Sequence, residues 1–110
     1  MASRTPNRPD ICIGTDSFHT PVALADSLHD AFEREGLEVR RNTPFAGALV
    51  PMKHYGTDQR VTSVMIEIRR DLYCDEATGE RTESYPMLRR TVERAIRRGL
   101  TQGSFGFGAT

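Results

Sequence analysis

VTSVMIEI, at residues 61–68, is the strongest strand pattern in this chain of 110 residues. Both faces of the run are largely apolar, which predicts a strand at residues 62–68, in the centre of a sheet. One charge interrupts it, because Glu67 lies between two isoleucines. A bare buried carboxylate is strongly unfavourable, so we expect Glu67 either to have a partner or to take part in chemistry.

Patterns on both sides of this segment predict an α/β fold with a mixed sheet and two main helices. Apolar residues 10–14 indicate a buried strand, residues 37–40 alternate as a half-exposed strand does, and residues 48–50 suggest a short extended piece. A first helix is expected to start with Thr20 as N-cap and to end at Gly36. A second is expected to begin near residue 84, with a buried stripe formed by Leu88, Val92, Ala95, Ile96 and Leu100.

Length and composition fit a single domain, placed at residues 9–100, with disordered tails at 1–8 and 101–110. Hydrophobic residues make up 37% of the chain, which leaves little apolar material for a core. Cys12 and Cys74 are far apart and lack nearby histidines, so two reduced thiols in a cytoplasmic protein are expected.

Charge and hydropathy argue against two classes of partner. Lys plus Arg and Asp plus Glu number 15 each, so no net positive field attracts nucleic acid. Glu83 and Glu93 interrupt the arginines of the second helix, which favours a solvated helix face. No stretch is long and apolar enough for a membrane span, and no secretory signal opens the chain.

The segment around Glu67 carries the first candidate site. Glu67 and Arg69 are two residues apart on a strand, so their side chains should share a face. At the carboxyl end of a strand, this is where open α/β sheets bind ligands. Glu67 would then be a general acid or base, and Arg69 or Arg70 would hold a substrate carboxylate. The alternative is a structural Glu–Arg pair at a sheet edge.

Two loops supply weaker candidates. RNTPFAG, at residues 41–47, places the amide of Asn42 beside a guanidinium and an aromatic ring, a mixture that suits a small polar acid. The same residues also favour ordinary turns. His19 and His54 lie in loops, but no two of the three histidines have the spacing of a zinc motif, so both are only weak metal candidates.

Four segments, taken in order, resemble the N-formylglutamate amidohydrolase family. They are PDICIGTD at 9–16, RNTPFAG at 41–47, YG at 55–56 and IEIRRDLY at 66–73. The resemblance implies hydrolysis of N-formyl-L-glutamate to formate and glutamate in histidine degradation, or of a related N-acyl amino acid to its own acid and amino acid. It also implies a fold like that of the zinc carboxypeptidases (phosphorylase/hydrolase-like), of which this chain would be the C-terminal half.

The resemblance also assigns roles to residues. Glu67 matches the carboxylate that activates a zinc-bound water and passes its proton to the leaving amine. Arg69 and Asn42 match positions suited to holding the carboxylates of glutamate. Gly14 and Gly47 would let the backbone approach the ligand closely.

The chain departs from the family pattern in its metal ligands. Family members are much longer, and their zinc ligands come mainly from an upstream half with His-Ser-Gly and Asp-x-His-Ser segments, which this chain lacks. We therefore expect a partial hydrolase that carries Glu67 without the metal cage: a fragment of a longer protein, a half that works with a complementary upstream chain, or an inactive remnant. The alternative is a non-catalytic binding or assembly module, whose exposed sheet edges would favour self-association.

Overall fold

The computed structural model describes residues 8–44, 46–75 and 77–101. Within them the strands are β1 (Ile11–Gly14), β2 (Val39–Arg41) and β3 (Met65–Ile68), and the helices are α1 (Val22–Arg34) and α2 (Tyr85–Thr101). Short 3-10 helices lie at Met52–His54 and Arg70–Leu72. The α/β class and the order of the main elements are confirmed, although residues 48–50 form no strand.

The predicted tails fall largely outside the described residues. Two of the tail residues are described. Thr101 is the last residue of α2, and the Arg8 carbonyl accepts a hydrogen bond from Arg69 Nη1 at 3.3 Å. Within the described part of the chain, no helix combines the length and the apolar composition that crossing a bilayer requires. Cys12 and Cys74 are both buried and form no disulfide.

The sheet is mixed, with the strand order β2-β1-β3. β1 runs parallel to β2, where Ile11 lies opposite Val39, and antiparallel to β3, where Ile11 lies opposite Ile68. The central strand is therefore β1, all of whose residues are buried. The prediction of a central strand at 62–68 was wrong: the regular strand is shorter and lies at the edge of the described sheet, while the Ser63 N–H donates to the carbonyl of His19.

The core lies between one face of the sheet and the two helices. Ile11 and Ile13 of β1 pack against Leu24, Leu28 and Phe32 of α1. Ile66 and Ile68 of β3 are only partly buried at the margin of this cluster. The sheet thus has a fully packed centre and a more open β3 side.

The two helices approach each other closely where Gly99 of α2 meets Leu28 of α1. A Cβ atom on Gly99 would lie 2.6 Å from Leu28 Cδ2, and the Ser27 hydroxyl donates a hydrogen bond to the Gly99 carbonyl at 2.8 Å. Leu100, predicted to be buried, is instead 43% exposed. Close packing of two helices favours a small residue at the crossing. The buried face of α2 is therefore centred on Ala95 and Gly99 and excludes Leu100.

The ends of α1 show one correct and one incorrect capping prediction. Gly36 has a φ of +85°, and its N–H donates to Glu33 while that of Leu37 donates to Phe32. This is the Schellman arrangement expected after the helix. At the other end the N-cap is Pro21 and makes no side-chain bond, because the Thr20 hydroxyl donates to the Ser63 carbonyl instead.

A buried ion pair joins the amino end of the sheet, where β1 and β2 begin and β3 ends. Asp10 is 1% exposed, and its Oδ2 accepts the N–H of Glu38, just before β2, at 2.8 Å. Arg69, just after β3, places its Nη1 atom 3.4 Å from Asp10 Oδ1. The N–H of Arg69 also donates to the Asp10 carbonyl at 2.9 Å. This pair therefore ties all three strands together.

A second ion pair joins the helices on the surface. Arg94 of α2 donates to both carboxylate oxygens of Glu35, at 2.9 and 2.8 Å, directly after α1. These hydrogen bonds lower the pKa of Glu35. A lowered pKa means that the pair stabilises the fold at neutral pH and loses its effect as the pH falls through that value. Part of the basic surface of α2 is thus used in helix packing.

Substitution of Asp10 tests the importance of the buried pair. Asp10→Ala removes one of the two carboxylates beside the buried Arg69 guanidinium and the acceptor of the Glu38 N–H, so we expect a loss of about 3 kcal/mol in the free energy of unfolding. The matched control is Asp30→Ala, which removes an exposed pair with Arg34 whose side chains are 52% and 57% exposed, and should lose about 0.5 kcal/mol or less. Urea unfolding measures both, and similar losses in the two variants would contradict the assigned role.

Candidate active site

The carboxyl end of the sheet, where β1 and β2 finish, is organised by Asn42. Its backbone has a φ of +55°, and its N–H donates to the Ile13 carbonyl at 2.8 Å. Its side-chain Oδ1 accepts the N–H of Thr15 at 3.0 Å, and its Nδ2 donates to the Thr15 hydroxyl at 3.0 Å. The amide predicted to hold a substrate is thus used to join the loops that follow β1 and β2.

Two glycines bring another loop against this end of the sheet. A Cβ atom on Gly14 would lie 2.4 Å from the Gly47 carbonyl oxygen, a distance at which the backbone would have to move. Gly47 itself has a φ of +92°, which favours glycine. The close approach predicted for these glycines is therefore between two backbone segments.

Arg69 and Arg70 lie at the other end of the sheet. Because β3 is antiparallel to β1, its carboxyl end lies beside Asp10 and not beside Gly14. The N–H groups of Asn42 and Arg69 donate to the carbonyls of Ile13 and Asp10, which are three residues apart in extended chain, or roughly 10 Å at 3.3 Å per residue. The end of β3 therefore does not coincide with the carboxyl ends of the parallel strands β1 and β2, to which the rule for ligand position applies.

The two arginines differ in their surroundings. Arg69 is 8% exposed, and its guanidinium forms ion pairs with Asp10 and Asp71; the described residues show no Glu67–Arg69 pair, which was the alternative. Arg70 is exposed at the start of a 3-10 helix. The aspartates at positions 10 and 71 were the sequence signal for a buried arginine, but only the strand order brings Asp10 to it.

Glu67 is exposed, although isoleucines flank it. It lies opposite Cys12 in the β1–β3 ladder, and strand alternation directs it to the face opposite Ile66 and Ile68. Because β3 is an edge strand, Glu67 keeps access to water and needs no buried partner. It borders an open cleft of about 480 Å³ between β3 and α2, lined also by Ile66, Ile68, Tyr73, Tyr85, Leu88, Arg89, Val92 and Glu93.

His19 is a buried structural residue. It is 2% exposed, its Nδ1 lies 2.8 Å from the Val61 carbonyl, and its Nε2 accepts the N–H of Gly56 at 2.9 Å. These partners require a neutral ring with its proton on Nδ1, and no ring nitrogen remains for a metal ion. His54 is half-buried, with its Nδ1 3.8 Å from Asp58 Oδ2, and lies on the segment that His19 holds.

Asp16 positions His19, a role that the sequence reasoning missed. Its Oδ1 accepts the N–H groups of Phe18 and His19 at 2.8 and 3.0 Å. The hydrogen bond from Phe18 is the main cause of the lowered pKa of Asp16. An aspartate that starts a turn-rich segment is a known signal for such a side-chain-to-backbone turn, so this residue could have been identified.

The comparison with known families covers most of these residues. The sequence model of the N-formylglutamate amidohydrolase family matches residues 1–74. The chain belongs to this family. All the predicted substrate-binding residues and Glu67 lie within the matched range, whereas α2 lies beyond it.

A solved structure extends the likeness to more of the chain. The crystal structure of N-formylglutamate amidohydrolase from Ralstonia eutropha JMP134 superposes with a TM-score of 0.71 at 28% sequence identity. The superposition covers 88% of this chain but only 36% of that one, so this chain spans about a third of its amidohydrolase relative. No curated protein sequence matches the chain.

The zinc ion implied by the family resemblance does not fit the side chains of this amidohydrolase-family chain. In residues 8–44, 46–75 and 77–101, no three His, Cys, Asp or Glu side chains lie where they could share a metal ion. A protein zinc site takes three or four such ligands. The residues described here therefore contain a carboxylate beside a cleft but no metal cage.

The two loop histidines can be separated by experiment. His19→Ala removes two hydrogen bonds and leaves the Gly56 N–H and the Val61 carbonyl without their partner, so we expect a loss of about 2–3 kcal/mol in stability. His54→Ala should change stability by about 0.5 kcal/mol or less. Chemical denaturation measures both, and amide exchange at Gly56 should accelerate only in His19→Ala. Equal effects would show that His19 does not hold this segment.

Proposed function

We propose that this chain provides Glu67 as the proton-transferring carboxylate of an amidohydrolase that acts on N-formyl-L-glutamate or a related N-acyl amino acid. Its products would be formate and glutamate when the substrate is N-formyl-L-glutamate. Membership of the amidohydrolase family supports the reaction class. The observation that carries the proposal is the exposure of Glu67 at the border of the β3–α2 cleft.

Amide hydrolysis requires a base that takes a proton from the attacking water and an acid that returns one to the leaving nitrogen. One carboxylate can perform both steps if it is ionised, reachable by water and close to the substrate. Glu67 is reachable by water, and the rigid ladder with β1 fixes its position. A carboxylate buried in the core could not exchange protons with a bound water in this way.

The proposed substrate contacts differ in access. Arg70, exposed and close to Glu67 in sequence, is a proposed contact for a substrate carboxylate. Arg69 would have to leave Asp10 and Asp71 to serve as one. Asn42 and Gly47, at the carboxyl end of the sheet, would contact only a part of the substrate that extends along β1.

We also propose that the zinc ligands come from polypeptide other than the residues described here. The relative from Ralstonia eutropha has 64% of its chain outside the superposed part. Together with the lack of a ligand set among the described residues, this predicts that the present chain by itself binds little zinc. It should then hydrolyse the substrate slowly or not at all unless a complementary chain is added.

A second candidate function is a non-catalytic binding or assembly module derived from such a hydrolase. One observation favours it: β3 ends the sheet, with partly buried isoleucines next to an open cleft. In this case Glu67 would be a solvated surface residue. The two candidates differ in whether N-formyl-L-glutamate interacts with the chain near Glu67.

The test combines turnover with ligand binding. Formate release from N-formyl-L-glutamate and zinc content are measured on the purified chain, and amide chemical shifts are followed as millimolar substrate is added. We expect substoichiometric zinc, slow or undetectable release, and shift changes around Glu67 and Arg70. Any measurable release should fall by about 10²-fold or more in Glu67→Gln.

Glu83→Gln is the matched control, because Glu83 is exposed outside the cleft and should have no effect. A chain that neither hydrolyses the substrate nor shows shift changes near Glu67 would refute the enzymatic proposal and support the module. Stoichiometric zinc with efficient release would instead refute the proposal that the metal ligands lie elsewhere.

A further inference from the structure

The two edges of the sheet differ in how they resist pairing with another strand. β2 is three residues long, and its Arg41 is fixed by Asp26 at 2.8 Å and His29 at 3.0 Å. Short strands and charged side chains protect an edge. β3 has four residues, of which only Glu67 is charged. The side of β3 away from β1, called here the open edge, is therefore the less protected one.

The backbone groups of β3 point alternately towards β1 and towards the open edge. The N–H of Arg69 donates to the Asp10 carbonyl at 2.9 Å, which makes these residues a hydrogen-bonded pair. Alternation along an antiparallel ladder then directs the polar groups of Glu67 towards β1 and those of Ile66 and Ile68 towards the open edge. No described strand pairs with that side, so it can accept a further strand.

The cleft beside the open edge has apolar walls, and its rim carries charges of both signs. Ile66 and Ile68 form one wall of the 480 Å³ cleft, and Leu88 and Val92 of α2 form the other. On the rim, Arg89 Nε lies 3.2 Å from Glu93 Oε2, and both side chains are more than half exposed. A surface with opposite charges one helical turn apart is complementary to a copy of itself related by a twofold axis.

The sequence of β3 selects one register for pairing with itself. A twofold axis at Glu67 would place two carboxylates opposite each other, which is unfavourable. An axis at Ile68 would place Glu67 opposite an arginine that Asp10 and Asp71 already hold. An axis at Ile66 places Ile66 opposite itself, and Val64 opposite Ile68 of the second copy. In this register the outward N–H and carbonyl groups of Ile66 would form hydrogen bonds with those of Ile66 in the second copy.

We propose that the open edge of β3 binds a second copy of this chain, forming an antiparallel dimer whose sheet has the order β2-β1-β3-β3-β1-β2. The formal net charge of zero removes long-range repulsion between copies. Strand pairing would be completed by the apolar walls of the cleft, since a stable interface buries roughly 1,200–2,000 Å². The charged β2 edges end the sheet, so assembly stops at two. The dimer would cover walls of the cleft that Glu67 borders, so dimer formation and substrate binding at Glu67 would compete.

Light scattering coupled to size exclusion tests the dimer, from a few micromolar to several hundred micromolar protein. We expect a species of twice the 12.3 kDa chain mass. Ile68→Lys places a charge within the interface, opposite Val64 of the second copy, and should raise the dimer dissociation constant by at least about tenfold, equivalent to 1.4 kcal/mol. Val22→Lys is the matched control, because Val22 is 73% exposed on α1 and should leave the dimer intact.

Amide exchange provides a measurement that needs no substitution. The N–H groups of Ile66 and Ile68 should exchange more slowly as the protein concentration rises, whereas exposed amides of α1 should not change. This result would support the interface even if Ile68→Lys fails to fold by circular dichroism. A monomer at every concentration, growth beyond the dimer, or a dimer with concentration-independent exchange at Ile66 would each overturn the proposal.

Discussion

The buried pair between Asp10 and Arg69 is the constraint on which the arrangement of the sheet depends. Asp10 contacts the start of β2 through Glu38 and the end of β3 through Arg69. A shift of β3 by one residue would separate the pair and turn the isoleucines away from the core. Since an unpaired buried charge is strongly destabilising, the pair selects the register. The outward position of Glu67 follows from that register and not from any contact of its own.

Local features of the fold could be predicted from the sequence, whereas those that depend on strand order could not. The α/β class, the order of helices and strands, and the cap at Gly36 follow from periodicity and from the conformational freedom of glycine. The position of β3 does not, because an apolar run has the same sequence pattern at an edge as at the centre. Thr20 was misassigned for a similar reason: its partner, the Ser63 carbonyl, is far away in the chain.

In the candidate site, too, local motifs could be predicted from the sequence, whereas features that depend on strand order could not. Ordered motifs were sufficient to identify the family, and the family model and the structural superposition agree with that identification. They could not show that the antiparallel direction of β3 separates Arg69 from Asn42. Nor could spacing reveal that His19 already has a backbone partner on each ring nitrogen. Candidate residues grouped by their order in the sequence thus lie at two ends of one sheet.

The way in which His19 and Thr20 hold the segment that follows residue 46 affects how this protein can change during evolution. The hydrogen bonds they make to that segment end on backbone atoms: the N–H of Gly56, the carbonyl of Val61, and the N–H and carbonyl of Ser63. These bonds therefore do not depend on which side chains the segment carries. Leu49 and Met52, 92% and 90% exposed, can be exchanged for other residues without loss of the underlying architecture. The segment is a surface on which new recognition properties can arise while the domain remains folded.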